Sequence, residues 1–127
     1  MITMKQVHEP AGETDGYRLL AERLWPRGVS KANARLDAWE REIAPSNELR
    51  RWYDHDPDKW IEFQTRYERE LATPAAQAIL DQLAERARHG TVTLVYASHA
   101  GEISNTAVLR RLIHERITHP HGTRASA

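Results

Sequence analysis

Two apolar, strand-like runs, residues 17–24 and 91–97, enclose a long middle segment in which apolar residues recur at helical spacing. The second run is the clearest strand because it is rich in β-branched and aromatic residues. A connection that contains helices joins two strands in parallel. With a short first strand at residues 1–7, the sequence predicts an α/β fold, a small and mainly parallel sheet flanked by helices in a single domain.

Helix starts are marked by residues whose side chains can cap the first turn. These residues are Ser30, Ser46, Asp56, Thr73 and Ser104. After Ser30, the residues Leu36, Trp39 and Ile43 recur at spacings of three and four, which predicts one apolar helix face. Trp39 and Trp60 are therefore expected in the core.

Length and charge limit the partners of this chain. Its 127 residues carry 18 basic and 18 acidic side chains, so the formal net charge is zero. A chain without net charge has no overall field to attract nucleic acid or an anionic membrane. We expect one domain over residues 1–117 and a flexible, polar tail over residues 118–127.

Cysteine is absent from the chain. Disulfides, thiol catalysis and cysteine-ligated zinc are therefore excluded, and the composition suits a reducing cytosol. No apolar stretch reaches membrane-spanning length, and the first residues lack the pattern of a signal peptide. We expect a cytoplasmic protein without a membrane partner.

The loop at residues 23–31, Arg-Leu-Trp-Pro-Arg-Gly-Val-Ser-Lys, is the first candidate site. It follows a predicted strand and precedes a predicted helix, so helix N–H groups can add to its positive charge. Its candidate ligand-binding residues are Arg23, Trp25, Arg27, Gly28, Ser30 and Lys31. The site is predicted to hold a phosphate or carboxylate. The alternative is ordinary surface charge beside a turn and a helix cap.

The last strand ends in a second loop that contains Ser98 and His99 and leads to Asn105. In open α/β sheets, ligands bind where strand carboxyl ends meet helix starts. We therefore expect this loop and the loop at residues 23–31 to border one crevice, with His55 near its mouth. Ser98 is expected to bind a ligand and not to act as a nucleophile, because no Gly-x-Ser-x-Gly elbow surrounds it.

Glu22 and His55 are the candidate catalytic residues. Glu22 lies near the end of a predicted strand, where it could act as a general base or form an internal salt bridge. His55 could transfer protons near neutral pH or bond a backbone carbonyl. Trp25 could stack on a ring-bearing ligand or pack in the core. His119 and His121 have no third ligand nearby, so no metal site is expected.

The residues at 23–31 resemble the signature of the YeaO-like family, domain-of-unknown-function family 488. Further motifs resemble the family in the same order: Leu-Asp-Ala-Trp at 36–39, Ala-Pro-Ser at 44–46, Leu-Arg-Arg-Trp at 49–52 and His-Asp-Pro at 55–57. The likeness runs from about residue 7 to residue 112. It implies a small α/β protein without an established activity. Some members carry labels as a tetrapyrrole methyltransferase or a transcription regulator, but this chain has neither a methyl-donor loop nor a helix-turn-helix.

The chain departs from the family pattern in the last loop. The family usually has a Lys-Asp pair followed by His-Asn, and the matching positions here are His99, Ala100, Ser104 and Asn105. Only Asn105 agrees, so an acid and an imidazole are missing. Position 22 is Glu where the family usually has Asp.

Together these observations predict binding of a small anionic, phosphate- or nucleotide-like ligand, with hydrolase or transferase chemistry left open. The alternative is a non-enzymatic module that binds nucleic acid or a protein, and the zero net charge argues against nucleic acid. The residues indicate no particular cofactor, and the oligomeric state is left open.

Overall fold

A four-stranded parallel sheet forms the centre of the computed structural model, which describes residues 1–97 and 101–119. The strands are β1 (Ile2–Gln6), β2 (Tyr17–Leu20), β3 (Ala38–Trp39) and β4 (Val92–Tyr96), in the order β1-β4-β2-β3. β4 pairs with β1 on one side and with β2 on the other. The predicted α/β fold with a small parallel sheet is confirmed.

Five α-helices surround the sheet: α1 (Lys31–Ala34), α2 (Asn47–Tyr53), α3 (Trp60–Glu70), α4 (Pro74–His89) and α5 (Asn105–Thr118). Short 3-10 turns occupy Glu13–Asp15, Arg41–Ile43, Pro57–Lys59 and Gly101–Ile103. All five predicted caps accept a backbone N–H of the turn that follows them. Within the described ranges, no helix is both long and apolar enough to cross a membrane.

The helix predicted after Ser30 is wrong beyond its first turn. α1 ends after four residues at Arg35, whose backbone is left-handed with φ 47°. The chain then enters β3, because the backbone N–H of Asp37 bonds Arg18 and that of Glu40 bonds Leu20. Trp39 therefore lies on an edge strand and not on a helix face.

The two faces of the sheet cover separate apolar clusters. Side chains of a strand alternate between faces, and along β4 Leu94 belongs to the main core while Val95 belongs to a second cluster. The main core holds α3, α4 and α5 against the sheet, with Phe63 and Tyr67 among its largest buried side chains. The loop at residues 23–31 covers the second cluster, where Trp25 packs.

A buried ion pair fixes the start of β2. Arg18 is 4% exposed, and its guanidinium donates to Asp15 at 2.6 Å and to the carbonyl of Ala34 at 2.7 Å. Lys5 adds a second cation at 3.2 Å from Asp15. A hydrogen bond from the Gly12 N–H, followed by those from Lys5 and Arg18, lowers the pKa of Asp15 despite its burial. The pair is structural, because it joins β1, β2 and the end of α1.

β2 is shorter than predicted and ends at Leu20 rather than at residue 24. Glu22 and Arg23 therefore lie in the loop beyond the strand. β1 and β4 are each one residue shorter at both ends than the predicted runs, which started at residues 1 and 91. Residues 98–100 and most of the predicted tail, residues 120–127, lie outside the described residues.

Candidate functional site

A cavity of about 330 Å³ opens at the carboxyl edge of the sheet, beyond the ends of β2 and β4. Leu24 from the loop after β2, Ala97 from the end of β4 and Ser104 at the start of α5 all border it. This is the place where open α/β sheets bind ligands. Its volume lies within the range of about 300–1,000 Å³ that is typical of small-molecule sites.

The walls of the cavity are mostly apolar. Seven residues form them: Leu24, Trp25, Pro26, Pro45, Tyr53, Phe63 and Ala97. Tyr53 and Phe63 stack with their ring centroids 4.2 Å apart, and the Tyr53 hydroxyl donates to the carbonyl of Ile103 at 2.6 Å. These contacts hold one wall rigid, since Tyr53 links the end of α2 to both α3 and the turn before α5.

Glu22 brings a carboxyl group into this apolar setting. Burial raises its pKa from 4.5 to about 7, and the charge of Arg50 opposes that rise. Within residues 1–97 and 101–119, the Glu22 carboxyl has no hydrogen bond and no ion pair, while its backbone carbonyl accepts the Trp39 indole N–H at 2.6 Å. A carboxyl group of this kind can be neutral or charged near neutral pH.

Arg50 lines the same cavity from α2. Its guanidinium donates to Asn47 at 3.1 Å, and it forms no ion pair with any residue that the structure describes. Arg50 was not among the predicted site residues. An exposed Arg on a short helix carries no local signal of a site, and only the fold brings it to the cavity that Glu22 also lines.

His55 borders the cavity at a point where the backbone adopts an uncommon conformation. Asp54 and His55 are consecutive residues with positive φ, 46° and 55°. Residues other than glycine rarely adopt this region, and then mostly as single residues. The His55 ring lies 6.1 Å from Tyr53 and the residue is exposed, so the bend after α2 presents an imidazole at the open side of the cavity.

The start of α5 forms the remaining border through Ser104 and Asn105. The Ser104 hydroxyl donates to the Gly101 carbonyl at 2.6 Å and caps α5. The Asn105 amide donates to the Ala21 carbonyl at 3.0 Å. Both side chains therefore brace the fold while facing the cavity.

The structure does not gather the basic residues of the loop at 23–31 around this cavity. Arg23 donates to the Pro45 carbonyl at 2.9 Å, and Trp25, the wall residue, donates to the Val29 carbonyl at 2.6 Å. Arg27 and Lys31 are exposed and do not line the cavity.

Ser30 caps α1, which has a single turn and so little dipole to offer an anion. Gly28 borders a different cavity of about 420 Å³, together with His8 and Arg35. Of the candidates in the last loop, Ser98 and His99 lie outside the described residues. Glu22, Trp25, His55 and Asn105 are thus the predicted site residues that share the first cavity.

Metal binding finds no support in the described part of the chain, where no three His, Asp or Glu side chains are grouped closely enough to hold an ion. The polar groups at the cavity are instead one carboxyl, one guanidinium, one imidazole, one amide, two hydroxyls and one indole N–H. This set can bind and orient a small polar ligand and can exchange protons with it.

Relatives in two bacterial species align with most of the chain. An uncharacterised protein of Mycobacterium tuberculosis is 39% identical over 115 residues, which cover 91% of this chain and 95% of the relative. The uncharacterised protein YeaO of Escherichia coli is 39% identical over 97 residues, 76% of this chain and 83% of the relative. No solved structure matches the chain significantly. A family model described as the inactive DUF488-N3 subclade matches residues 1–127, and the chain therefore belongs to the DUF488 family.

Proposed function

We propose that this protein binds a small anionic ligand in the cavity at the carboxyl edge of its sheet, without converting it. The observation that carries the proposal is Arg50, a guanidinium on an apolar cavity with no ion-pair partner among the described residues. Arg donors match the planar geometry of carboxylates and of phosphate oxygens. An acidic ligand would supply the partner that the described residues do not.

The proposal places the anion at Arg50 and not at the loop of residues 23–31. Arg23 already donates to a backbone carbonyl, and α1 is too short to add a helix dipole. Arg27 and Lys31 do not line the cavity, so an anion there would lack the apolar walls that border Arg50.

Binding without turnover agrees with two observations. The matched subclade is described as inactive. This chain also has Ala100 and Ser104 where its family usually has an acid and an imidazole. The remaining titratable residues, Glu22 and His55, then serve recognition of the ligand.

Titration of the ¹⁵N-labelled protein with phenyl phosphate tests the proposal. We expect shifts of the Trp25 indole and of backbone amides around the cavity, because the phenyl group enters the apolar walls and the phosphate reaches Arg50. Arg50→Gln should weaken binding roughly tenfold or more, a loss of about 1.4 kcal/mol. Arg51→Gln is the matched control, since Arg51 is exposed on the same helix and does not line the cavity.

Two results would overturn the proposal. One is a set of shifts confined to residues 27–31, which would return the anion to the loop. The other is equal affinity of the Arg50 and Arg51 variants, which would remove Arg50 from the site.

A further inference from the structure

We infer that the ligand is amphoteric: an acidic group for Arg50, a protonated amine for Glu22 and an apolar body for the walls, with an apolar α-amino acid as its simplest form. The inference deepens the proposed function and rests on it. Arg50, Glu22 and the walls border one and the same cavity.

Glu22, which is partly buried, differs from Asp15, the acid that is buried among the described residues. Asp15 has Lys5, Arg18 and the Gly12 N–H as partners. The Glu22 carboxyl has no such partner among the described residues. An acid removed from water without a partner is costly in its charged form. A protonated ligand amine would stabilise the charged carboxylate of Glu22, as Lys5 stabilises that of Asp15.

Glu22 and Arg50 do not neutralise each other directly. No ion pair joins them in the described structure, although both line the cavity and the charge of Arg50 lowers the pKa of Glu22. A ligand that carries both an acidic group and an amine would offer each protein charge an opposite charge.

The apolar walls specify the rest of the ligand. Trp25 is a partly exposed aromatic residue of the lining, Tyr53 and Phe63 are buried behind the wall surface, and Leu24 is an exposed apolar residue at the cavity border. Aromatic side chains bind apolar groups over a large area with few flexible bonds. An amino acid with an aromatic or large aliphatic side chain therefore suits the cavity better than a compact inorganic anion.

Other ionisable groups lie near Glu22. Arg50 comes from α2, His55 and Tyr53 from the end of α2, and Tyr67 from α3. Burial, opposed by Asn105 and reinforced by the Glu22 charge, holds the pKa of Tyr67 well above its ordinary value. Tyr67 therefore stays neutral, while the charge of Glu22 changes near neutral pH.

Three matched probes test the inference by calorimetry or NMR titration: L-phenylalanine, 3-phenylpropionate, which lacks the amine, and 2-phenylethylamine, which lacks the acid. We expect L-phenylalanine to bind at least roughly tenfold more tightly than either analogue. Glu22→Gln should abolish the preference over 3-phenylpropionate, while Glu42→Gln, a change at an exposed glutamate, should preserve it.

The pH dependence gives a second readout that needs no variant. An amine binds the ionised form of Glu22, so the affinity for L-phenylalanine should rise between pH 5.5 and pH 8. An anion binds the neutral form better, so the affinity for 3-phenylpropionate should fall over the same range. In Glu22→Gln both slopes should flatten, whereas slopes that persist would show that Glu22 does not control them.

The outcomes separate the two proposals. If 3-phenylpropionate binds through Arg50 as tightly as L-phenylalanine, or if both affinities change with pH in the same direction, the amphoteric ligand is wrong while the anion site stands. If neither acid binds in a manner that depends on Arg50, both proposals fall.

Discussion

The Asn105 side-chain amide donates to the backbone carbonyl of Ala21 at 3.0 Å and so ties the first turn of α5 to the end of β2. Glu22 is the next residue along the chain. The position of its carboxyl group in the cavity therefore depends on a helix that begins more than eighty residues later. Asn105 is also the residue in this region that agrees with the usual pattern of the family.

Asn105→Ala should lower the free energy of unfolding by about 1–2 kcal/mol, because the Ala21 carbonyl loses its partner. Urea denaturation measures the change. Asn33→Ala is the control, since Asn33 is exposed and lies on α1, and it should change stability by less than about 0.5 kcal/mol. Equal effects of the two variants would show that the tie to Ala21 has no energetic role.

Glu22→Gln should make the protein more stable at alkaline pH. Folding raises the pKa of Glu22 from 4.5 to about 7, so the native state binds the proton more tightly than the unfolded state. Protonation of Glu22 therefore stabilises the native state fully below pH 4.5, and this stabilisation is lost as pH rises through 7. Each pKa unit corresponds to about 1.4 kcal/mol, and we expect the variant to exceed the wild type by roughly 2–3 kcal/mol at pH 8.

Unfolding free energies measured from pH 5 to pH 8 check this expectation. The difference between Glu22→Gln and wild type should grow with pH over that interval. A constant difference would mean that Glu22 titrates alike in the folded and unfolded chains.

Gly16→Ala should destabilise the protein severely, by more than about 3 kcal/mol. Gly16 has φ 64°, and an added Cβ would lie 2.1 Å from the Thr91 carbonyl oxygen. That oxygen accepts the Tyr17 N–H at 2.9 Å, so the clash falls where β2 begins to pair with β4.

Gly28→Ala is the matched comparison for Gly16. Gly28 also has positive φ, 72°, but open space surrounds the added Cβ. Only the backbone penalty of about 1–2 kcal/mol remains. Comparing the melting temperatures of the two variants separates the steric cost of the contact with Thr91 from the cost of the left-handed backbone. A similar fall in melting temperature at both sites would contradict the steric argument.

Arg27→Ala should leave stability almost unchanged, within about 1 kcal/mol. Arg27 is exposed and has no ion pair within the described residues. The variant should also bind phenyl phosphate as wild type does, because the proposed anion contact is Arg50. A fall in melting temperature would make Arg27 part of the scaffold, and a loss of binding would restore the loop as the site.

Local signals in the sequence predicted the helices well. Ser46, Thr73 and Ser104 each cap a helix because capping involves only the residues of one turn. The strand at Ala38–Trp39 was missed for a different reason. Two residues are too few to show alternation, and the spacing of Leu36, Trp39 and Ile43 imitates a helix face.

The candidate site was predictable in position and only partly in its residues. The topological rule for parallel sheets led to the carboxyl edge, where Glu22, Trp25 and His55 line one cavity. The basic residues of the loop at 23–31 were also predicted for the site, but they do not line this cavity. Nearness in sequence does not determine where side chains point. Arg50 could be assigned to the cavity only from the folded structure, in which α2 packs against α3.

The central place of β4 determines when this protein can fold. In the described sheet β1 and β2 each take β4 as a neighbour, although β4 is the last of the four strands to be synthesised. The ribosome must therefore release residue 96 before β1 and β2 can complete their pairing with β4. Such long-range pairing slows folding. Until then, the strand edges that will face β4 stay open, and open strand edges are sites of aggregation.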